Sequence, residues 1–261
     1  MELVFLGTGA GNGVPEFYCN CKVCMEALED SRCRRTRCAV VLCGEGNLLF
    51  DAPPELSSQL LRERLNRIDC FFLTHAHHDH CAALGDLELY ARFHRKDRLP
   101  SVMSPETFEE LGRRHGSVEE WMNVVPLQAG ETLQRFGVSI TAVEVAHSRG
   151  TLGYLIGTSM GRTAYLPDTG PLPDRTRDLL TGIENLILDA TFWGENWYPG
   201  EHLSFEQTIQ TAQELNVEML YLTHLSMHYG KPVTSREIES AIEPYRDRVR
   251  LAYDGMRISL G

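Results

Sequence analysis

Residues 73–85 read LTHAHHDHCAALG. An apolar run, CFFLT (70–74), leads into His75, His77, Asp79 and His80, spaced H-x-H-x-D-H. Three imidazoles and a carboxylate within six residues supply nitrogen and oxygen donors of the kind taken by Zn²⁺, Mn²⁺ or Fe²⁺. On a loop after a strand, His75 and His77 can point the same way. Asp79 and His80, at a helix start, can face a second ion close by, with His78 as the bystander. One loop cannot close two metal sites, so further donors must come from elsewhere in the chain.

Strand-like runs elsewhere end in the same manner. NLLFD closes on Asp51, TAYLPD on Asp168 and YLTH on His224, while VEVAH delivers His147. A polar residue after an apolar strand can simply begin a turn. Two histidines in the same Leu-Thr-His context, at 75 and 224, instead suggest side chains projected from strand ends into one site.

The wider pattern says how such ends could be gathered. Strands are expected at 2–6, 39–43, 47–51, 70–74, 138–146, 151–157, 162–168, 185–190 and 218–224. Helices are expected near 54–65, 81–93, 105–114, 173–181, 204–215 and 234–243. Ser204 followed by Glu206, and Ser235 followed by Glu237, read as helix caps. Each half of the chain opens with strands and continues with helices, which predicts an α/β fold: two stacked mixed sheets with outer helices. No linker or repeat divides residues 1–261, so they read as one domain.

The chain is 43% hydrophobic and 23% charged, with a net charge of −11. That acidity argues against a broad nucleic-acid surface, which needs clustered Lys and Arg. No run approaches the roughly 20 apolar residues of a membrane helix. A cytoplasmic protein acting on a small molecule is the expectation, with a homodimer as an option. The chain carries eight cysteines, and a disulfide framework is not expected in that compartment. Cys33, Cys38, Cys43, Cys70 and Cys81 read as small packed thiols.

The ordered set Asp51, THAHHDH, His147, Asp168 and His224, after a strand and glycine-rich turn, resembles the metallo-β-lactamase superfamily. The resemblance covers nearly the whole chain and implies a four-layer αβ/βα sandwich with a dinuclear metal site at its rim. Carried over, His75, His77 and His147 would hold one ion (Mn²⁺ or Zn²⁺). Asp79, His80 and His224 would hold the other, and Asp168 would bridge them. Paired dications can share a water, lower its pKa and aim it at an electrophile. The lactamases place cysteine at the bridging position and diiron redox members an acidic residue at position 77. Asp168 and His77 therefore favour another hydrolysis.

Within the superfamily, GTGAGNGVP (7–15), the C-x-C-x-x-C trio, RCRRTRC (32–38), GEHLSF (200–205), THLSMH (223–228) and YDGM (253–256) resemble the phosphodiesterases of the carbon–phosphorus lyase pathway, which open 5-phosphoribosyl 1,2-cyclic phosphate. By that resemblance His202 faces the site and assists the departing alkoxide, with Asp79 also in the catalytic set. The residue-level alternative for His202 is a loop histidine beside a helix cap. Arg34, Arg35 and Arg37 either meet a second substrate phosphate, for which Arg is suited, or form a solvated turn. Transfer-RNA 3′-end processing, glyoxalase-type thioester hydrolysis and a non-catalytic carrier are the competing functions on this fold.

CNCKVC (19–24) remains. Cys19, Cys21 and Cys24 need one more ligand to close a tetrahedral zinc site. In the resembling phosphodiesterases a histidine just past the THLS motif serves. The matching position here is Met227, and His228 follows it. A structural Zn²⁺ on Cys19, Cys21, Cys24 and His228, tying the N-terminal loop to the strand end that carries His224, is the expectation.

Overall fold

The computed structural model describes residues 1–228 and 230–260. The chain begins with β1 (Glu2–Gly7), helix α1 (Lys22–Glu29), β2 (Ala39–Cys43) and β3 (Asn47–Phe50). Helix α2 (Leu56–Arg62), β4 (Cys70–Phe72), α3 (His78–Cys81) and α4 (Leu84–Leu89) follow. Next come β5 (Leu99–Met103), α5 (Pro105–His115), β6 (Met122–Pro126), β7 (Thr132–Arg135), β8 (Val138–Glu144), β9 (Leu152–Thr158) and β10 (Gly161–Leu166). The last part holds α6 (Asp174–Leu180), β11 (Asn185–Asp189), α7 (Phe205–Glu214), β12 (Met219–Thr223), α8 (Ser235–Ile242), β13 (Val249–Leu251) and β14 (Arg257–Ser259).

Two seven-stranded sheets result, in the orders β14-β1-β2-β3-β4-β5-β6 and β13-β12-β11-β10-β9-β8-β7. Both are mixed: β3 through β6 and β10 through β13 run parallel, and the remaining pairs antiparallel. Side chains alternate across a strand, and here both faces are apolar. Leu3, Phe5, Leu48, Phe50 and Ile187 pack between the sheets. Their neighbours Val4, Leu6 and Leu49 pack outward under the helices of the first sheet. Leu186 and Leu188 do the same in the second. Three apolar layers separate four structural layers, the αβ/βα sandwich that was expected.

Ser204 caps its helix as expected, with Glu206 in the first turn, and the second cap is shifted by one residue. The capping box of α7 is completed by Gln207. Helix α8 is capped by Thr234, one residue before Ser235, with Glu237 closing the box. In both, the side chain that reaches back sits at the third helical position, where the geometry of the first turn allows it. Helix α1, not expected, carries Cys24 on its buried face. No helix among the described residues is long and apolar enough to cross a membrane.

Candidate metal centre

The polar strand ends meet at one rim. His75 follows β4, His147 follows β8, Asp168 follows β10 and His224 follows β12. The backbone turns abruptly at Asp51 (φ 66°) and His224 (φ 56°), immediately after β3 and β12. Left-handed backbone is uncommon for residues with a Cβ. At Asp51 it is held by the amide and hydroxyl of Thr74, which both donate to Oδ1 at 2.9 Å.

Two groups of donors form at the rim, and Asp168, Asp189, His202 and His224 make a third that overlaps the second. His75, His77 and His147 bring one donor atom each within 4.8 Å of one another, and so do Asp79, His80, Asp168 and His224. Asp168 reaches both: its Oδ2 lies 2.6 Å from His80 Nε2 and 3.6 Å from His75 Nε2, and its Oδ1 lies 3.3 Å from His224 Nε2. These approaches are close, yet the inward-facing atoms are not aligned as hydrogen bonds. His75 Nε2, His80 Nε2, His224 Nε2 and Asp168 Oδ1 are buried with no hydrogen-bond partner. An unsatisfied buried polar atom costs about 1–3 kcal/mol. Four converging on one spot is the signature of donors arranged for cations, and the residues fit divalent metal.

The outer nitrogens of four of the five rings are tied down by groups outside the cluster. His80 Nδ1 lies 2.9 Å from Asp51 Oδ2, His224 Nδ1 2.8 Å from Thr191 Oγ1, and His75 Nδ1 3.0 Å from Thr74 Oγ1. His147 Nδ1 lies 3.1 Å from the Glu201 carbonyl. Asp51 therefore orients His80 and does not itself join the donor cluster. His78 is exposed and outside it. Gly11 in the glycine-rich turn stands so close that a Cβ there would lie 3.1 Å from Asp79 Oδ2.

Charge in the cluster is divided by these surroundings. Burial lowers the pKa of His75, and the neighbouring His80 lowers it further. Burial also opposes a charge on His80, but Asp51, Asp79 and Asp168 outweigh it and raise His80 well above the usual histidine range. His202 behaves similarly: against burial, Asp168 and Asp189 hold it up at about 10.

Asp189 is the residue that the sequence reading passed over. It ends β11, is fully buried, and accepts from His202 Nδ1 (2.8 Å) and from the amides of Thr191 (2.8 Å) and Leu203 (3.3 Å). The NLILD run has the same apolar-strand-to-carboxylate form as NLLFD, so the signal was present.

A further donor group stands apart. Cys19, Cys21, Cys24 and His228 bring their donor atoms within 4.8 Å of one another, with Cys24 Sγ 2.9 Å from His228 Nδ1. Three sulfurs and one imidazole suit tetrahedral Zn²⁺. Burial pushes the Cys24 thiol up to about 12, with Cys19 and Cys21 adding to the rise. Met227 takes a left-handed φ of 48°, and that twist brings His228, one residue later than in the resembling pattern, to the cysteines. His228 Nε2 donates to the Gly13 carbonyl at 2.7 Å, which joins this group to the glycine-rich turn.

The arginine expectation needs correction. Arg35 is 2% exposed and donates to Thr8 Oγ1 (3.0 Å), Ser235 Oγ (3.2 Å) and the Ala252 carbonyl, so no substrate reaches it. Arg34 is exposed, donates to the Ala27 carbonyl, and does not line the rim cavity. Arg37 does line it, paired with Glu55.

Residues 46–225 match the family described as the beta-lactamase superfamily domain. The chain belongs to that superfamily. Among solved structures it is similar to a diphosphatase of the PhnP family, at 27% identity and a TM-score of 0.85, over 100% of this chain and 98% of that one. It is 29% identical to coenzyme PQQ synthesis protein B of Methylobacterium radiotolerans, over 73% of each chain. It is 25% identical to an octanoyltransferase of Porphyromonas gingivalis over 98% of its own length, but spans only 51% of that protein. The two stacked sheets match the metallo-β-lactamase fold.

Proposed function

We propose that the protein is a metal-dependent phosphodiesterase that opens a small cyclic phosphodiester of the 5-phosphoribosyl 1,2-cyclic phosphate kind. The observation that carries this reading is the shared position of Asp168. It touches both donor groups, while His202, backed by Asp189, faces the same cavity. Likeness to the PhnP-family diphosphatase supports phosphorus chemistry.

His75, His77 and His147 would hold one divalent ion, Asp79, His80 and His224 the other, and Asp168 both. Mn²⁺ and Zn²⁺ each suit these donors. When bound, such a pair supplies positive charge to phosphoryl oxygens and lowers the pKa of water. The chain's own groups do the rest. Asp51, Thr74 and Thr191 keep the ligand rings from rotating, so the donor atoms stay aimed at the rim. His202 Nδ1 is engaged by Asp189, which stabilises the imidazolium and leaves Nε2–H to protonate the departing alkoxide. A charge of −11 suits a small substrate better than a nucleic acid. A structural Zn²⁺ on Cys19, Cys21, Cys24 and His228 would brace the loop beside the rim.

Phosphorus NMR on metal-loaded protein with 5-phosphoribosyl 1,2-cyclic phosphate tests the reading. The cyclic resonance should convert to that of a phosphomonoester, and Asp168→Ala should stop it. Persistence of the cyclic resonance with wild-type protein rejects the proposal.

A further inference from the structure

The cavity over the donor cluster has a volume of about 740 Å³. That lies toward the upper end of the roughly 300–1,000 Å³ typical of small-molecule sites, more than a cyclic phosphate on a bare sugar fills. Its wall is aromatic. Phe17 (98% exposed), Tyr18 (64%), Trp197 (47%) and Tyr198 (59%) all line it. Exposed aromatic surface gathered at the mouth of a site marks a binding surface, whereas scattered exposed apolar residues need no explanation. By contrast, Arg37 is the one Lys or Arg among the described lining residues, and Glu55 already pairs with it. Glu16 and Glu201 line the cavity as well. Such a wall is poorly built for a second phosphate and well built for a flat ring.

Both aromatic pairs are held by the scaffold. Tyr198 accepts at its carbonyl from the amides of Glu201 and His202, each at 2.9 Å, and its own amide donates to Asn196 Oδ1. The buried Phe192 ring packs beneath Trp197 and Tyr198, at centroid distances of 6.0 and 6.2 Å. Tyr198 is thus coupled through backbone to His202. Phe17 and Tyr18 meet edge to face at 4.8 Å, on a short segment between Gly11, which abuts Asp79, and Cys19, which belongs to the cysteine group. Each aromatic pair is therefore tethered to one side of the metal centre.

We infer that the substrate carries a flat heteroaromatic ring of the nucleobase kind, seated against Phe17 and Tyr198 while its phosphodiester meets the rim donors. The inference rests on the phosphodiester chemistry of the proposed function but changes the substrate: in 5-phosphoribosyl 1,2-cyclic phosphate the cyclic ester takes C1, where a base would stand, so the class this wall fits is a nucleoside-bearing phosphodiester such as a 2′,3′-cyclic one. Phe17 and Tyr198 are then determinants of specificity, and the cysteine group helps to place the first of them.

The test compares adenosine 5′-monophosphate with ribose 5-phosphate as ligands of the full-length, metal-loaded protein by isothermal titration calorimetry. The two share the phosphoribose and differ by the base. The nucleotide should bind about tenfold more tightly, since stacking on aromatic side chains commonly gives roughly five- to hundredfold per base. Phe17→Ala and Tyr198→Ala should each reduce the ratio of the two affinities by about fivefold or more. Equal affinity of both ligands for the wild type overturns the inference, as does an unchanged ratio in both variants. A wild-type dimer that Phe17→Ala converts to monomer would likewise overturn it, because the aromatic wall would then seat a second copy. Failure of the phosphodiesterase reading shows separately, as absence of turnover on cyclic phosphodiesters, and leaves the binding comparison intact.

Discussion

Asp189 Oδ2 lies 2.8 Å from His202 Nδ1, and its second oxygen is occupied by the amides of Thr191 and Leu203. The carboxylate is fully buried at the end of β11 and cannot rotate away without orphaning two amides. It therefore fixes which imidazole nitrogen faces the substrate. Asp189→Asn keeps the shape but removes the charge and can present its amide to Nδ1. The variant should lose about 10²-fold in kcat, within the usual range for a general acid, with a much smaller change in KM. The loss should shrink on substrates with a good leaving group such as 4-nitrophenolate, which needs no proton. Equal losses on poor and good leaving groups would show that Asp189 is structural alone.

The shared carboxylate gives a second expectation. Asp168→Ala and His80→Ala should lower the metal content of the rim and abolish turnover while far-UV circular dichroism stays native. His80→Ala takes one partner from Asp51, whose carboxylate keeps the amide and hydroxyl of Thr74 and the hydroxyl of Tyr165. Metal analysis that finds the wild-type stoichiometry in both variants would remove these residues from the ligand set.

The cysteine group predicts one zinc beyond the rim metals. Cys21→Ser should lose that ion and part of the activity, because His228 links the group to Gly13 and Cys19 adjoins Tyr18. A loss of about 2 kcal/mol would lower Tm by roughly 4–8 °C for a chain of this size. Unaltered zinc content and Tm would mean that the thiols are free.

Arg35 and Arg37 separate stability from binding. Arg35→Ala leaves Thr8, Ser235 and a main-chain carbonyl without their buried partner, so urea unfolding should show a loss of about 3 kcal/mol or more. Arg37→Ala should change KM more than stability, since its side chain lines the cavity. The reverse pattern would return Arg35 to the substrate site.

Gly11→Ala tests how tightly the glycine-rich turn is fitted. A Cβ at 3.1 Å from Asp79 Oδ2 must displace that carboxylate by a few tenths of an ångström. Affinity for rim metal, read by competition with a chelator, should fall by about tenfold, comparable to disturbing a ligand's support. Wild-type affinity would show that the turn gives way instead.

Much of this was legible in the sequence because the fold writes its site at strand ends. Apolar runs stop at His75, Asp168 and His224, and runs of that length have few other reasons to close on a metal donor. The strand FFLTH and its relatives are buried on both faces, so they stand out as continuous hydrophobic stretches. The strands that went unseen are short or interrupted: β5 and β6 contain Pro100 and Pro126, and β7, β13 and β14 span three or four residues. Asp189 was missed because a carboxylate that orients a histidine has the same local context as one that begins a turn. Arg35 was misjudged for a different reason. Its partners come from residues 8, 227, 235 and 252, and nothing within RCRRTRC tells which arginine they will bury. The aromatic wall likewise joins residues 17–18 with 197–198, a proximity that only the folded chain creates.

The central claim is phosphodiester hydrolysis, and one parallel assay addresses it most directly. Metal-loaded protein is offered an aryl phosphodiester, a cyclic phosphodiester, a precursor transfer RNA and S-lactoylglutathione at equal concentration. The predicted result is turnover of the cyclic phosphodiester and the aryl ester, with the transfer RNA uncut. Turnover of the thioester, with neither small phosphodiester cleaved, would contradict it.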